Sequence, residues 1–310
     1  MKSSQFVNQS ASQSEFLSLR GRRIHVRCWQ DDADAPLLFM LHGWGDISAT
    51  WQFVVDHLAR GWRVLAPDWR GFGLSQWNND SYWFPDYVAD LDALLTHYSP
   101  AAPVRLVAHS MGGNVACLYA GLRPERVAAL VNLEGVGMID HPLAEATERY
   151  ARWLKQTQDA RGFRVYPDHA ALAARLQNDN PRLSGAQAMF LASHLGMEKV
   201  GDDGQREICL AIDPCHRWVN PVPYRLQDAM AIWRQVMAPV LWVTAADSHV
   251  FKRFFERHAD DYRQRVACFR DIREVTLEDA GHNMQHDQPQ KVAQLVDEFF
   301  AQAMRGAVTR

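Results

Sequence analysis

Apolar runs at 36–41, 63–66, 104–107 and 127–133 punctuate the first half of the chain. Short continuous runs of this kind suit strands buried on both faces of a parallel sheet. Between them, 49–60, 84–98 and 111–122 carry helix-compatible patterns. Upstream, 16–19 and 24–29 alternate about Gly21, which predicts a hairpin. Strands alternating with helices predict a parallel α/β sheet with helices on both faces. After Gly137 the pattern changes. Residues 138–236 show helical segments, many polar positions and three tryptophans (Trp153, Trp218, Trp233), with no clear strand alternation. The α/β rhythm then resumes with an apolar run at 239–244, a helix near 249–260, a strand at 273–277 and a closing helix at 289–304.

A helical block inserted between two halves of a sheet predicts a cap over the carboxyl ends of the strands, where open α/β sheets bind ligands. The predicted organisation is a flexible lead-in at 1–14, a core of 15–137 and 237–310, and a helical cap at 138–236. The length of 310 residues is enough for one large core plus such an insertion. A content of 47% apolar and 22% charged residues fits a globular protein. The net charge of −3 is spread along the chain, so neither a nucleic-acid partner nor a membrane surface is expected. The polar N-terminus lacks the apolar core of a signal peptide, and no 18-residue apolar run exists. Five scattered cysteines without a CxxC pair indicate neither a disulfide framework nor a zinc site. The expectation is a reduced, cytoplasmic protein that uses no metal or cofactor and acts on a small molecule.

The candidate chemistry centres on Ala108-His109-Ser110-Met111-Gly112, which follows an apolar run and opens a helical stretch. A serine on a sharp strand-to-helix turn between small residues is an exposed nucleophile. Ala108 stands where glycine is usual and adds one methyl. Serine needs a base to take its proton, and the base needs an orienting acid. In this arrangement they follow in the order serine, acid, histidine. His282 follows the last predicted strand and is the expected base. Asp247, after the run at 239–244, is the favoured acid, with Glu134, after 127–133, as the alternative. His109 is expected to face away from the site and His42 to brace its own loop. His286 reads as the approach to the last helix. Backbone N–H groups of Met111 and Trp44 are the expected oxyanion donors. His42, Trp51, Tyr82 and His249 are the candidate pocket residues.

The loops His42-Gly43-Trp44, Asp68-Trp69-Arg70-Gly71-Phe72-Gly73-Leu74-Ser75 and His109-Ser110-Met111-Gly112-Gly113 resemble those of the α/β-hydrolase superfamily, in its serine-hydrolase and esterase branch. The resemblance spans about 16–137 and 239–304. It implies an α/β-hydrolase fold, a mostly parallel sheet with an inserted helical cap, and structural roles for Asp68 and Arg70. It also implies a carboxylesterase-like enzyme that cleaves an ester, thioester or amide of a small to medium apolar substrate. A serine at 110 disfavours the relatives that use an aspartate nucleophile, the haloalkane dehalogenases and epoxide hydrolases. The alternatives are a carbon–carbon bond hydrolase of the meta-cleavage type, a cofactor-free perhydrolase and, in another class, a non-catalytic ligand-binding protein of the same fold.

Overall fold

The computed structural model describes residues 6–30, 32, 34–59, 61–158, 162–201, 204–255 and 259–308. Strands β1 (Ser12–Leu19) and β2 (Arg22–Trp29) form the hairpin about Gly21. Next come β3 (Leu37–Leu41), the short helix α1 (Gln52–Val55), β4 (Arg63–Pro67) and α2 (Phe84–Tyr98). The centre of the sheet is completed by β5 (Val104–His109), α3 (Met111–Leu122) and β6 (Val127–Leu133). The insertion holds α4 (Ala146–Gln158), α5 (His169–Asp179), α6 (Gly185–Leu195), β7 (Gly196–Val200), β8 (Arg206–Leu210) and α7 (Leu226–Trp233). The chain closes with β9 (Val240–Ala245), α8 (His249–Phe255), α9 (Ala259–Val266), β10 (Ile272–Leu277), α10 (Met284–Asp287) and α11 (Pro289–Val308).

Eight strands form one sheet in the order β1-β2-β4-β3-β5-β6-β9-β10. From β4 to β10 every neighbour is parallel, and β2 joins β4 antiparallel. Successive residues of a strand point to opposite faces, and here both faces are apolar. Phe39 and Leu41 pack with α2, α3 and α7, whereas Leu38 and Met40 pack with α1, α10 and α11. The unbroken apolar runs follow from this two-sided burial.

Four expectations change. The helix read at 49–60 is a 3₁₀ turn, Ser48–Trp51, and a single α turn, α1. Three of its residues, Thr50, Val54 and Val55, are β-branched and weak helix formers. The lead-in is anchored at Phe6 and Ser10, although Val7 between them is exposed, and residues 1–5 of that expectation lie outside the described residues. The Phe6 ring lies 5.0 Å from Phe53 and 5.2 Å from Phe190, and the Ser10 N–H donates to Asp56. One aromatic anchor outweighs the polar composition around it. The insertion is not wholly helical, because β7 and β8 pair as an antiparallel hairpin. Most side chains of this hairpin are exposed or half-buried, so it carries no apolar alternation to read. Finally, α7 belongs to the main core. Trp233 is fully buried there, and α7 lies against Gly121 of α3.

Asp68 and Arg70 are braces. Asp68 is buried and accepts from the Ser48 N–H, the Leu74 N–H and His25 Nδ1. Burial alone would raise its pKa, but the His25 hydrogen bond and charge hold it well below the usual carboxylate range. Arg70 forks onto Asp90 through Nε and Nη2, at 2.5 and 2.6 Å, and so ties the loop after β4 to α2.

The α3–α7 contact is tight enough to test. A Cβ at Gly121 would collide with the Ile232 carbonyl, whereas one at Gly185, at the start of α6, meets nothing within 4 Å. Gly121→Ala is expected to destabilise the fold by about 1–3 kcal/mol, read as a lower urea midpoint. Gly185→Ala should hold that midpoint or raise it.

Candidate active site

The end of β5 delivers Ser110 to a turn that the backbone would not adopt unaided. Ser110 has φ 51° and ψ −114°, a strained conformation worth roughly 1–3 kcal/mol. Its N–H donates to the Leu133 carbonyl at 2.9 Å, and its carbonyl accepts from the Asn114 N–H at 3.0 Å. Gly112 allows the first turn of α3 to press against the end of β3, because a Cβ there would strike the Leu41 and His42 carbonyls. The Ala108 methyl is accommodated in the buried strand, in register with Leu41 and Asn132.

The loop after β10 brings His282 to Ser110, with Nε2 3.0 Å from the Ser110 Oγ. The other ring nitrogen, Nδ1, lies 2.7 Å from Glu134 Oε2. With the carboxylate as acceptor, the ring proton sits on Nδ1 and Nε2 is left to accept from the serine. Glu134 is 2% exposed and also accepts from the Ala245 N–H at 2.8 Å and the Ser248 hydroxyl at 2.7 Å. Three donors from the ends of β9 and β10 hold this side chain in one position.

Asp247 is not placed against His282. Its side chain is exposed and pairs with Arg182 of the insertion at 2.6 Å, while its N–H donates to the Ala280 carbonyl. The loops after β6 and β9 end side by side, and one conformational detail separates the two carboxylates. Glu134 has φ 52°, a bend at the strand end, and its carboxylate meets the histidine. The contribution of the β9 loop is the next residue, Ser248, which is fully buried and was not singled out from sequence.

His109 does not face away. Its Nε2–H donates to the His282 carbonyl at 2.8 Å, and Gln285 Nε2 lies 3.4 Å from its Nδ1. Burial, reinforced by the neighbouring His282, drives its pKa well below the ordinary histidine value, so it acts as a neutral strut. His42 is a second strut, its pKa lowered by burial to about 4. Its Nδ1–H donates to the Gly43 carbonyl at 2.7 Å, and its Nε2 accepts the Trp69 N–H at 3.0 Å. This fixes the backbone that leads to Trp44. His286 is buried against the Thr50 hydroxyl, likewise with a pKa near 4 through burial.

Ser110, Trp44 and Met111 share a cavity of about 680 Å³, a size that suits a small molecule. Met111 opens α3, where first-turn N–H groups lack intrahelical partners and favour negative charge. Aromatic side chains from both the core and the insertion line the cavity, among them Trp83, Trp153 and Trp218. Of the expected pocket residues, Tyr82 lines it. His42 and Trp51 are instead fully buried in the core, and His249 is exposed with its ring 6.2 Å from His282. Among the described residues, no three His, Cys, Asp or Glu side chains gather as a metal site, and no helix is long and apolar enough to cross a membrane.

Comparison with known proteins agrees with this architecture. A serine hydrolase-like protein of Danio rerio is 29% identical over 285 residues, covering 88% of this chain and 83% of the relative. A serine hydrolase-like protein of Dictyostelium discoideum is 24% identical over 254 residues, covering 78% and 69%. Among solved structures, the thioesterase domain from the curacin biosynthetic pathway superposes with a TM-score of 0.80 at 24% identity, covering 92% of this chain and 99% of that domain. At that identity the likeness concerns the fold. A family profile described as the alpha/beta hydrolase fold matches residues 36–289. With its eight-stranded, mostly parallel sheet and a match over most of its length, the chain belongs to the alpha/beta hydrolase fold family.

Proposed function

We propose that the protein is a serine hydrolase that cleaves an ester, or the related thioester or amide, of a small to medium apolar acid. The observation that carries this reading is the unbroken relay from Ser110 through His282 to Glu134, at 3.0 and 2.7 Å, with Ser110 on the wall of a largely apolar cavity. Two relatives in sequence, both serine hydrolase-like, point the same way.

In the proposed mechanism the Ser110 Oγ attacks the acyl carbon while His282 Nε2 takes its proton. Glu134 keeps the imidazole in the required tautomer and stabilises the cation that forms. Negative charge develops on the former carbonyl oxygen, and the N–H groups of Met111 and Trp44 receive it. Collapse of the tetrahedral intermediate expels the alcohol, thiol or amine, which takes its proton from His282. Water then enters, His282 accepts a proton again, and hydrolysis of the acyl-serine returns Ser110. The two struts bear on this cycle: His109 anchors the main chain of the base, and His42 anchors the loop that carries Trp44.

Two outcomes test the proposal. A fluorophosphonate probe should add its phosphonyl mass to Ser110 of the folded protein, while Ser110→Ala takes up no label and loses turnover of activated esters. An unlabelled wild-type protein would refute the nucleophile. Glu134→Gln should cost roughly 10³–10⁴ in kcat, because the wrong tautomer is then favoured. Asp247→Asn removes only an exposed ion pair and should change kcat by no more than a few fold. The reverse ranking in steady-state assays would return the acid role to Asp247.

A further inference from the structure

Most of the cavity that holds Ser110 is apolar or aromatic, and its charged groups are matched with one exception. Arg225 is paired with Asp228 at 3.3 Å, and His141 with Glu145 at 3.1 Å. The His216 ring is stacked between Phe72 and Tyr82, at centroid distances of 4.0 and 3.6 Å, and burial lowers its pKa to about 4. The exception is Arg149. It projects from α4, half-buried, into the same cavity, one helical turn from Trp153, which also lines it. Its Nη2 donates to the Asn220 carbonyl at 2.9 Å, which orients the guanidinium, and its Nε is buried with no partner. Among the described residues, no carboxylate lies within ion-pair distance of Arg149.

A guanidinium held by a neutral carbonyl at the edge of an apolar chamber is an incomplete arrangement. Its remaining donors form a planar fork suited to two oxygens of an anion. One unit of positive charge matches a carboxylate better than a doubly charged phosphate. The aromatic walls would also strengthen such a pair relative to water. We propose that Arg149 binds a carboxylate at the end of the substrate remote from the scissile bond, so that the preferred substrate is the half-ester of a dicarboxylic acid or a close analogue. This assignment rests on the serine-hydrolase reading of the same cavity. Arg149 is a specificity residue here and takes no part in bond making.

The test compares two esters of equal chain length, mono-p-nitrophenyl suberate, which carries a free carboxylate, and p-nitrophenyl octanoate, which does not. Wild-type kcat/KM should favour the suberate half-ester. In Arg149→Gln the ratio of the two values should fall at least tenfold, mostly through KM, as expected when a hydrogen bond to a charged group is lost. Arg149→Lys should keep part of the preference. A wild-type preference for octanoate, or an unchanged ratio in Arg149→Gln, overturns the assignment. Failure of both esters to turn over would sink the hydrolase reading instead, and binding would then decide the role of Arg149. Calorimetry on Ser110→Ala protein should find monomethyl suberate binding at least tenfold more tightly than dimethyl suberate, with the difference lost on adding Arg149→Gln. Equal binding of the two esters overturns the proposal independently of catalysis.

Discussion

The Glu134 carboxylate is the constraint on which the site depends. It stands at the end of β6 and accepts hydrogen bonds from the Ala245 N–H, the Ser248 hydroxyl and His282 Nδ1. A buried carboxylate without donors is costly, so the ends of β9 and β10 are drawn to it. His282 then has one position available, and that position sets its distance from Ser110. Two non-glycine residues with positive φ, Ser110 at 51° and Glu134 at 52°, lie at the ends of adjacent strands. Such strain persists only where the surroundings over-determine the backbone. The Leu133 carbonyl, which receives the Ser110 N–H, directly links the two bends.

The sheet supplies the rigidity. Its central strands are apolar on both faces, and helices cover each side, so the strand ends have little freedom to shift. The histidines around the site extend that rigidity. His42, His109 and His286 are buried, with pKa values lowered by desolvation. They work as hydrogen-bond struts around His282, whose Nε2 faces the serine. The insertion contributes part of the aromatic lining of the cavity and, through Arg149, its one unmatched cation among the described residues.

Features governed by short-range physics were legible in the chain. The central strands of the sheet were visible because two-sided burial demands unbroken apolar runs. The turn at Ser110 was visible because a tight strand-to-helix bend demands small neighbours. The β7–β8 hairpin was hidden because its largely solvated strands need no apolar period. The acid was ambiguous because Glu134 and Asp247 both follow buried strands, which is the only property a linear pattern records. Ser248 and the inward turn of His109 carried no local signal, since each is identified by a partner far away in the chain.

By itself, then, the sequence determined the α/β architecture, the tight turn that carries Ser110 and the loop that offers His282 to it, because backbone periodicity and turn sterics act over a few residues. Only the tertiary structure decided which carboxylate meets that histidine, which pocket candidates reach the cavity and where the insertion ends. Those outcomes rest on contacts between groups far apart in the chain, 148 residues for His282 with Glu134 and 172 for His282 with Ser110. At such separations the deciding quantities are the direction in which a side chain leaves its strand and the donors it finds there. Neither is a property of residue type, and both are set when the strand ends pack together.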